Sequence, residues 1–147
     1  MIHLVVADES HTAVVAELLA NLFEEVGHTP TAPEIADMFV EIDEDSLHST
    51  LLALDDDGDA VGVLTLVESL ALYAGGRIGV INELYVVPPY RSEGVGKILL
   101  DAAKNLAEER GWQRLEVTTP GERYEKTLRF YEREGFMQIG PRYKFPL

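Results

Sequence analysis

Apolar residues recur along this chain with two periods, and the switches between them mark the elements. Ile2–Ala7 is an apolar run of strand length. Asp8 or Ser10 then offers a helix cap, and Val14, Val15, Leu18, Leu19, Leu22, Phe23 and Val26 follow at helical spacing up to Gly27. Thr31-Ala32-Pro33-Glu34 has the form of a capping box with an early proline. Ile35, Met38, Phe39 and Ile42 line one face of the helix behind it, which ends in a mostly acidic run from Glu41 to Asp45. Thr50–Leu54 and Ala60–Glu68 read as a strand hairpin joined by the polar turn Asp55–Asp59. Ser69–Arg77, with Gly75-Gly76, reads as a loop or a frayed strand end. Ile78–Val87 predicts the buried central strand, and Pro88-Pro89 ends it because neither proline donates a ladder bond.

From Val95 the period changes again. Val95, Ile98, Leu99, Ala102, Ala103 and Leu106 have helical spacing, and Lys97–Arg110 reads as the helix, closed by Gly111. Arg114–Thr119 reads as a strand and Pro120-Gly121 as a turn. Glu122–Glu134 reads as a helix with Tyr124, Thr127, Leu128 and Tyr131 on one face, closed by Gly135. Phe136–Ile139 and Tyr143–Phe145 read as short strands around Gly140-Pro141. The order is β-α-α-β-β-β-α-β-α-β-β, which reads as an α/β (α+β) fold. At 147 residues, with no repeat or linker, the chain reads as a single domain over 1–147.

Composition removes several kinds of chemistry. There is no cysteine, so neither disulfides nor a thiol nucleophile enter. The four histidines lack metal-ligand spacing, and the acidic turn at Asp55–Asp59 lacks the EF-hand pattern, so no metal is expected. The start lacks the basic residues of a signal peptide, and no apolar run has membrane-spanning length; a soluble, cytoplasmic protein is expected, with no membrane partner. A net charge of −14 argues against nucleic acid as a partner. The same charge favours approach of a cationic molecule, although an acidic surface also simply serves solubility.

The stretch between the central strand and the next helix carries the candidate chemistry. Arg91-Ser92-Glu93-Gly94-Val95-Gly96 is a glycine-containing turn leading from a strand into a helix N-terminus. Free backbone N–H groups and the positive end of the helix dipole make that arrangement an anion site. It is not a dinucleotide fingerprint, since Leu99 stands where the third glycine belongs. Nor is it a Walker A loop, since Arg91 occupies the first glycine position and Ile98 replaces the Ser or Thr. What remains is R-x-x-G-x-G.

A strand, then R-x-x-G-x-G, then an amphipathic helix resembles the acyl-CoA pyrophosphate loop of the GNAT superfamily of N-acetyltransferases. The segment Arg129-Phe130-Tyr131-Glu132-Arg133-Glu134-Gly135-Phe136 resembles the family's F-Y-x-x-x-G-F near the C-terminus. The resemblance is specific over Ile81–Phe136. It implies the GNAT fold, whose element order this is, with a mixed central sheet of six to seven strands and helices on both faces, and an acetyl-CoA-dependent N-acetyltransferase that moves an acetyl group directly to a primary amine of a small molecule in a ternary complex. CoA would be anchored by the turn, through Arg91, Ser92, Glu93, Gly94, Val95, Gly96 and Lys97, with Arg91, Lys97 and Lys104 offsetting the acidic chain's repulsion of a polyanion. The pantetheine arm would pair with backbone along Leu84, Tyr85, Val86 and Val87, with a backbone N–H near Val86 as oxyanion donor. Glu83 would be the base and would touch the acceptor; Tyr131 would be the acid. Tyr124 stands where many members carry an asparagine that contacts the CoA arm. The first two helices would help wall the acceptor site, with Phe23, Phe39 and the acidic residues near them as contacts. A small-molecule acceptor is implied by similarity to aminoalkylphosphonate and aminoglycoside or polyamine acetyltransferases, and a homodimer by the habit of many relatives. Protein N-terminal acetylation and a non-catalytic acyl-CoA-binding module are the alternatives.

Overall fold

The computed structural model describes residues 1–119 and 124–147. Among the described residues the chain forms β1 (His3–Val6), α1 (Thr12–Val26), α2 (Ala32–Glu44), β2 (His48–Leu54), β3 (Ala60–Ala71), β4 (Gly76–Val86), α3 (Val95–Glu109), β5 (Leu115–Val117) and α4 (Glu125–Arg133). The five strands lie in sequence order in one sheet. β1 to β4 are mutually antiparallel, and β5 pairs parallel to β4.

Two cores clothe the two faces of this sheet. Val15, Leu18, Leu19, Ile35 and Phe39 of α1 and α2 pack on Leu52, Val63 and Tyr85. Val95, Leu99, Leu100 and Ala103 of α3, with Tyr131 of α4, pack on Leu51, Ala53, Leu64, Leu66 and Ile81. The local signals explain the ends. Thr31 and Glu34 form the reciprocal capping box read from the sequence. Asp8 caps a short 3-10 turn at Glu9–His11, and α1 begins only after it.

Three expectations need correction. Among the described residues the sheet has five strands rather than six to seven, because 136–147 forms no strand. Pro141 and Pro146 each remove a ladder donor there, and the adjacent β5 is three residues long, so little edge exists to pair with. The element order therefore stops at α4. Of the two readings of Ser69–Arg77, a loop or a frayed strand end, the loop is the one corrected: Ser69 pairs with Ile78, Leu70 with Arg77 and Ala71 with Gly76, around a short 3-10 turn at Leu72–Ala74. The turn expected at Pro120-Gly121 lies outside the described residues.

Two features of β4 position the site. The first is a bulge. Leu66 pairs with Ile81 but Thr65 pairs with Glu83, which leaves Asn82 as an extra residue. In an unbroken strand Ile81, Glu83 and Tyr85 would share a face. Here Ile81 belongs to the α3 core and Tyr85 to the α1 core, so the extra residue turns Glu83 to the α1/α2 side. The second is a parting of strands. β4 pairs with β5 only over Gly79–Ile81, yet continues to Val86.

Candidate active site

The open edge of β4 follows from that parting. The Val87 N–H donates to the Val61 carbonyl at 3.0 Å, so Val87, and by ladder alternation Tyr85, direct their backbone groups towards β3. Leu84 and Val86 then direct theirs to the side that β5 has left. One of these groups is taken: Arg91 Nε donates to the Val86 carbonyl at 2.9 Å. The predicted pantetheine partners Leu84 and Val86 thus lie on an open edge, whereas Tyr85 is a buried core residue and Val87 is half-buried.

The turn after β4 is built by backbone conformation. Ser92 and Gly94 both have positive φ, 67° and 86°. Gly94 is the N-cap of α3, no side chain caps that helix, and a Cβ added at Gly94 would meet nothing within 4 Å. The first N–H groups of α3 accordingly have no intrahelical partner, and the space before them is open. Such a cradle can accept an anionic group. Val95 contributes only its backbone there, since its side chain is 1% exposed in the core. Gly96 has a different role. A Cβ there would sit 3.1 Å from Phe130 Cζ, so its missing side chain admits α4 rather than a ligand.

The basic side chains assigned to CoA all have partners inside the chain. Arg91 Nη2 donates to both carboxylate oxygens of Glu25, at 2.8 and 3.0 Å, and its guanidinium lies over the Tyr85 ring. Lys97 donates to Asp101 at 2.8 Å and lies 3.5 Å from Glu134. Lys104 donates to the Glu134 carbonyl at 2.7 Å. Ser92 and Glu93 are exposed in the turn, and Tyr124 is the N-cap of α4.

Glu83 lies on the α1/α2 face of the sheet, and Tyr131 is packed in the core on the α3 face. Burial pushes the Glu83 carboxyl above the usual carboxylate range, against the opposing effects of the Thr65 hydroxyl and the His28 and His48 imidazoles. Thr65 Oγ1 donates to Glu83 Oε1 and accepts from the Glu83 backbone N–H at 3.1 Å. Tyr131 is buried against Phe130 and Phe136, and burial raises its phenol well above the ordinary value. Its hydroxyl has no hydrogen-bond partner among the described residues. Of the expected acceptor contacts, Phe23 is half-buried with its ring edge-on to His28 at 5.5 Å. Phe39 is 3% exposed and part of the α1/α2 core.

Sequence reasoning passed over Thr65, which stands in the apolar run Val63-Leu64-Thr65-Leu66 and reads there as an ordinary strand residue. A lone polar side chain in such a run was the one available signal. Sequence reasoning also passed over His28 and His48 as neighbours of the site, and it placed Glu25 only among the acidic residues near Phe23. Among the described residues no group of His, Asp and Glu could hold a metal ion, and no helix is long and apolar enough to cross a membrane.

Residues 13–136 match the acetyltransferase (GNAT) family, to which the chain belongs. It has the α/β fold of that family, here with a mixed five-stranded sheet and four helices among the described residues. Acetyltransferases of this family use acetyl-CoA. The chain is 29% identical over 131 residues to an uncharacterized N-acetyltransferase, YhfO, of Bacillus subtilis, covering 88% of this chain and 86% of the relative. It is 37% identical over 81 residues to an aminoalkylphosphonate N-acetyltransferase of Salmonella typhimurium, a match covering 55% of this chain and 52% of that one. Its structure superposes with a TM-score of 0.85 on an aminoglycoside N-acetyltransferase, AAC(6')-Iy, in complex with CoA, covering 100% of this chain and 95% of that one. At 17% identity that likeness bears on the fold alone.

Proposed function

We propose that the protein transfers an acetyl group from acetyl-CoA to a primary amine of a small molecule, directly, within one ternary complex. The observation that carries this reading is the parting of β4 from β5 after Ile81, which leaves the backbone of Leu84 and Val86 open beside the uncapped start of α3. When bound, acetyl-CoA supplies the acyl group and a thiolate leaving group. The α3 amides hold phosphate, and the β4 edge holds the arm that leads to the reacting carbon. Glu83 takes the proton of the attacking amine, directly or through a water. The Val86 N–H stabilises negative charge developing on the carbonyl oxygen. Tyr131, kept protonated by burial, is the acid for the departing sulfur, and the proton that Glu83 took from the amine restores the phenol, so both groups end the cycle as they began it. No side chain is asked to become a covalent nucleophile, consistent with the absence of cysteine.

Charge placement favours a cationic acceptor. Sixteen Asp and Glu but no Lys or Arg precede Arg77, and that half of the chain includes both helices on the Glu83 face. Arg91, which reaches this face, is committed to Glu25. A phosphonate would meet carboxylates there without a free base, whereas a polyamine or an aminoglycoside would bring further ammonium groups to them.

Release of CoA thiol from acetyl-CoA tests both parts, and the chain adds no thiol background. The panel is polyamines, aminoglycosides, aminoalkylphosphonates, amino acids and short peptides. Turnover is expected with polyamines or aminoglycosides, weakening as salt is raised, with initial-rate lines that intersect. Preference for aminoalkylphosphonates would overturn the charge argument, and parallel lines would overturn direct transfer. Binding of acetyl-CoA with no release to any amine would overturn the enzyme reading for these acceptors.

A further inference from the structure

Thr65 stands opposite Glu83 in the β3–β4 ladder and is 6% exposed. A hydroxyl carries one proton. The Glu83 backbone N–H donates to Thr65 Oγ1, which uses a lone pair, and the hydroxyl proton goes to Glu83 Oε1. One oxygen atom thereby ties the main chain and the side chain of the same residue, which removes the torsional freedom of that carboxylate. The arrangement depends on the bulge at Asn82, which brings Glu83 into register with Thr65 and onto its face. Thr50, next in the same cross-strand row, is 3% exposed, and its hydroxyl has no hydrogen-bond partner among the described residues, so it does not compete for the Thr65 proton.

We propose that Thr65 is the positioning residue of this active site: it holds the Glu83 carboxylate by Oε1 and leaves Oε2 to the acceptor amine or a bridging water. Oε2 has no hydrogen bond among the described residues. The inference rests on Glu83 being the base. Its electrostatic surroundings are few. His28 and His48 favour the carboxylate, and burial opposes it. Glu25 of α1 is paired with Arg91, Asp45 beyond α2 lies 3.2 Å from His48, and Glu116 of β5 is held by Arg114 and Tyr73. The helices α3 and α4 lie on the other face. The Thr65 hydroxyl therefore acts on the ionised form at closest range, and removing it leaves burial less opposed.

The test is a carboxyl-carbon NMR titration of the full chain, with the Glu83 resonance assigned by its loss in Glu83→Gln. Thr65→Val keeps the branched shape and removes the hydroxyl. It is expected to move the Glu83 midpoint to higher pH, and Thr65→Ser to return it. With acetyl-CoA and spermidine as probe substrates, Thr65→Val is expected to lose about tenfold in kcat/KM at neutral pH, as befits a hydrogen bond to a charged group. Its acidic limb should follow the NMR midpoint, and its KM for acetyl-CoA should not change. A wild-type midpoint in Thr65→Val, or failure of Thr65→Ser to restore it, would overturn the assignment of Thr65. A pH–rate profile unchanged in Glu83→Gln would instead overturn the base, and with it any catalytic meaning of Thr65.

Discussion

Arg91 Nη2 lies 2.8 Å from one carboxylate oxygen of Glu25 and 3.0 Å from the other, joining the turn before α3 to the end of α1 across 66 residues of sequence. The same guanidinium donates through Nε to the Val86 carbonyl and covers the Tyr85 ring. Arg91 therefore meets any bound phosphate as half of an ion pair, and its first duty is to hold the turn against β4. Both partners are part-exposed, so the pair is worth on the order of 0.2–1 kcal/mol. Glu25→Gln leaves the arginine charge uncompensated and is expected to tighten CoA about twofold to fivefold. Arg91→Ala loses both the charge and the clamp on Val86 and should weaken CoA by more than that factor. Calorimetric titration of both variants with CoA decides it, and equal affinity in Glu25→Gln and wild type would show that the pair does not govern phosphate binding.

Glu83→Gln has two signatures. As loss of a general base it should lower kcat by about a hundredfold or more and abolish the acidic limb of the pH–rate profile. Its effect on stability has the opposite sign. Burial raises the folded pKa of Glu83 above its unfolded value. The contribution to folding is then fully present below the unfolded pKa, where the group is neutral in both states, and is lost as pH rises through the folded pKa. Glu83→Gln is therefore expected to raise Tm at neutral pH, with the gain shrinking on acidification into the ordinary glutamate range. Calorimetry across that range checks both signs.

Tyr131→Phe removes a hydroxyl and leaves the ring that packs on Phe130 and Phe136. Because that hydroxyl has no partner among the described residues, little stability should be lost. Turnover should fall by about a hundredfold, with acetyl-CoA affinity near wild type. Burial keeps the phenol protonated throughout the working range, so the wild type should show no alkaline limb from this residue. Stopped-flow turnover beside equilibrium acetyl-CoA binding separates the two roles; a kcat equal to wild type would remove the acid assignment.

Gly79 shows the cost of a side chain where another already lies. A Cβ there would fall 2.2 Å from Trp112 Cζ3, so the indole must move. Trp112 Nε1 also donates to Glu68 at 2.6 Å, and that bond moves with it. Gly79→Ala is expected to cost about 3 kcal/mol, near the upper end of overpacking penalties. Trp112 is the one tryptophan in the chain, so its emission should shift to the red as the ring loses burial. Denaturant unfolding followed by that fluorescence measures both effects, and wild-type emission with an unchanged midpoint would contradict the contact.

Much of the site was legible in the linear pattern because its parts are local. A glycine turn needs only Gly94 at the start of an amphipathic helix, and the capping box at Thr31 and Glu34 is closed within four residues. The period of the apolar residues was enough to place four helices and the hairpin strands. These features depend on neighbours in the chain, so the sequence carries them openly. The last two strands were misread because a strand exists only by virtue of a partner, and 136–147 has none among the described residues.

What the tertiary structure alone decided is which groups meet. No periodicity reveals the extra residue at Asn82, yet that residue turns Glu83 to the α1/α2 face and sets it against Thr65. Nothing in the turn's sequence says that Arg91 is already paired with Glu25, or that the space over Gly96 is filled by Phe130. The sequence by itself determined a strand, a glycine turn and a helix able to hold an anion, with an acid-rich half and a base-containing half. Long-range pairing then determined which polar atoms are spent inside the fold and which stay open to substrate. A hydrogen bond between residues distant in the chain depends on register and packing, and neither is written in local spacing.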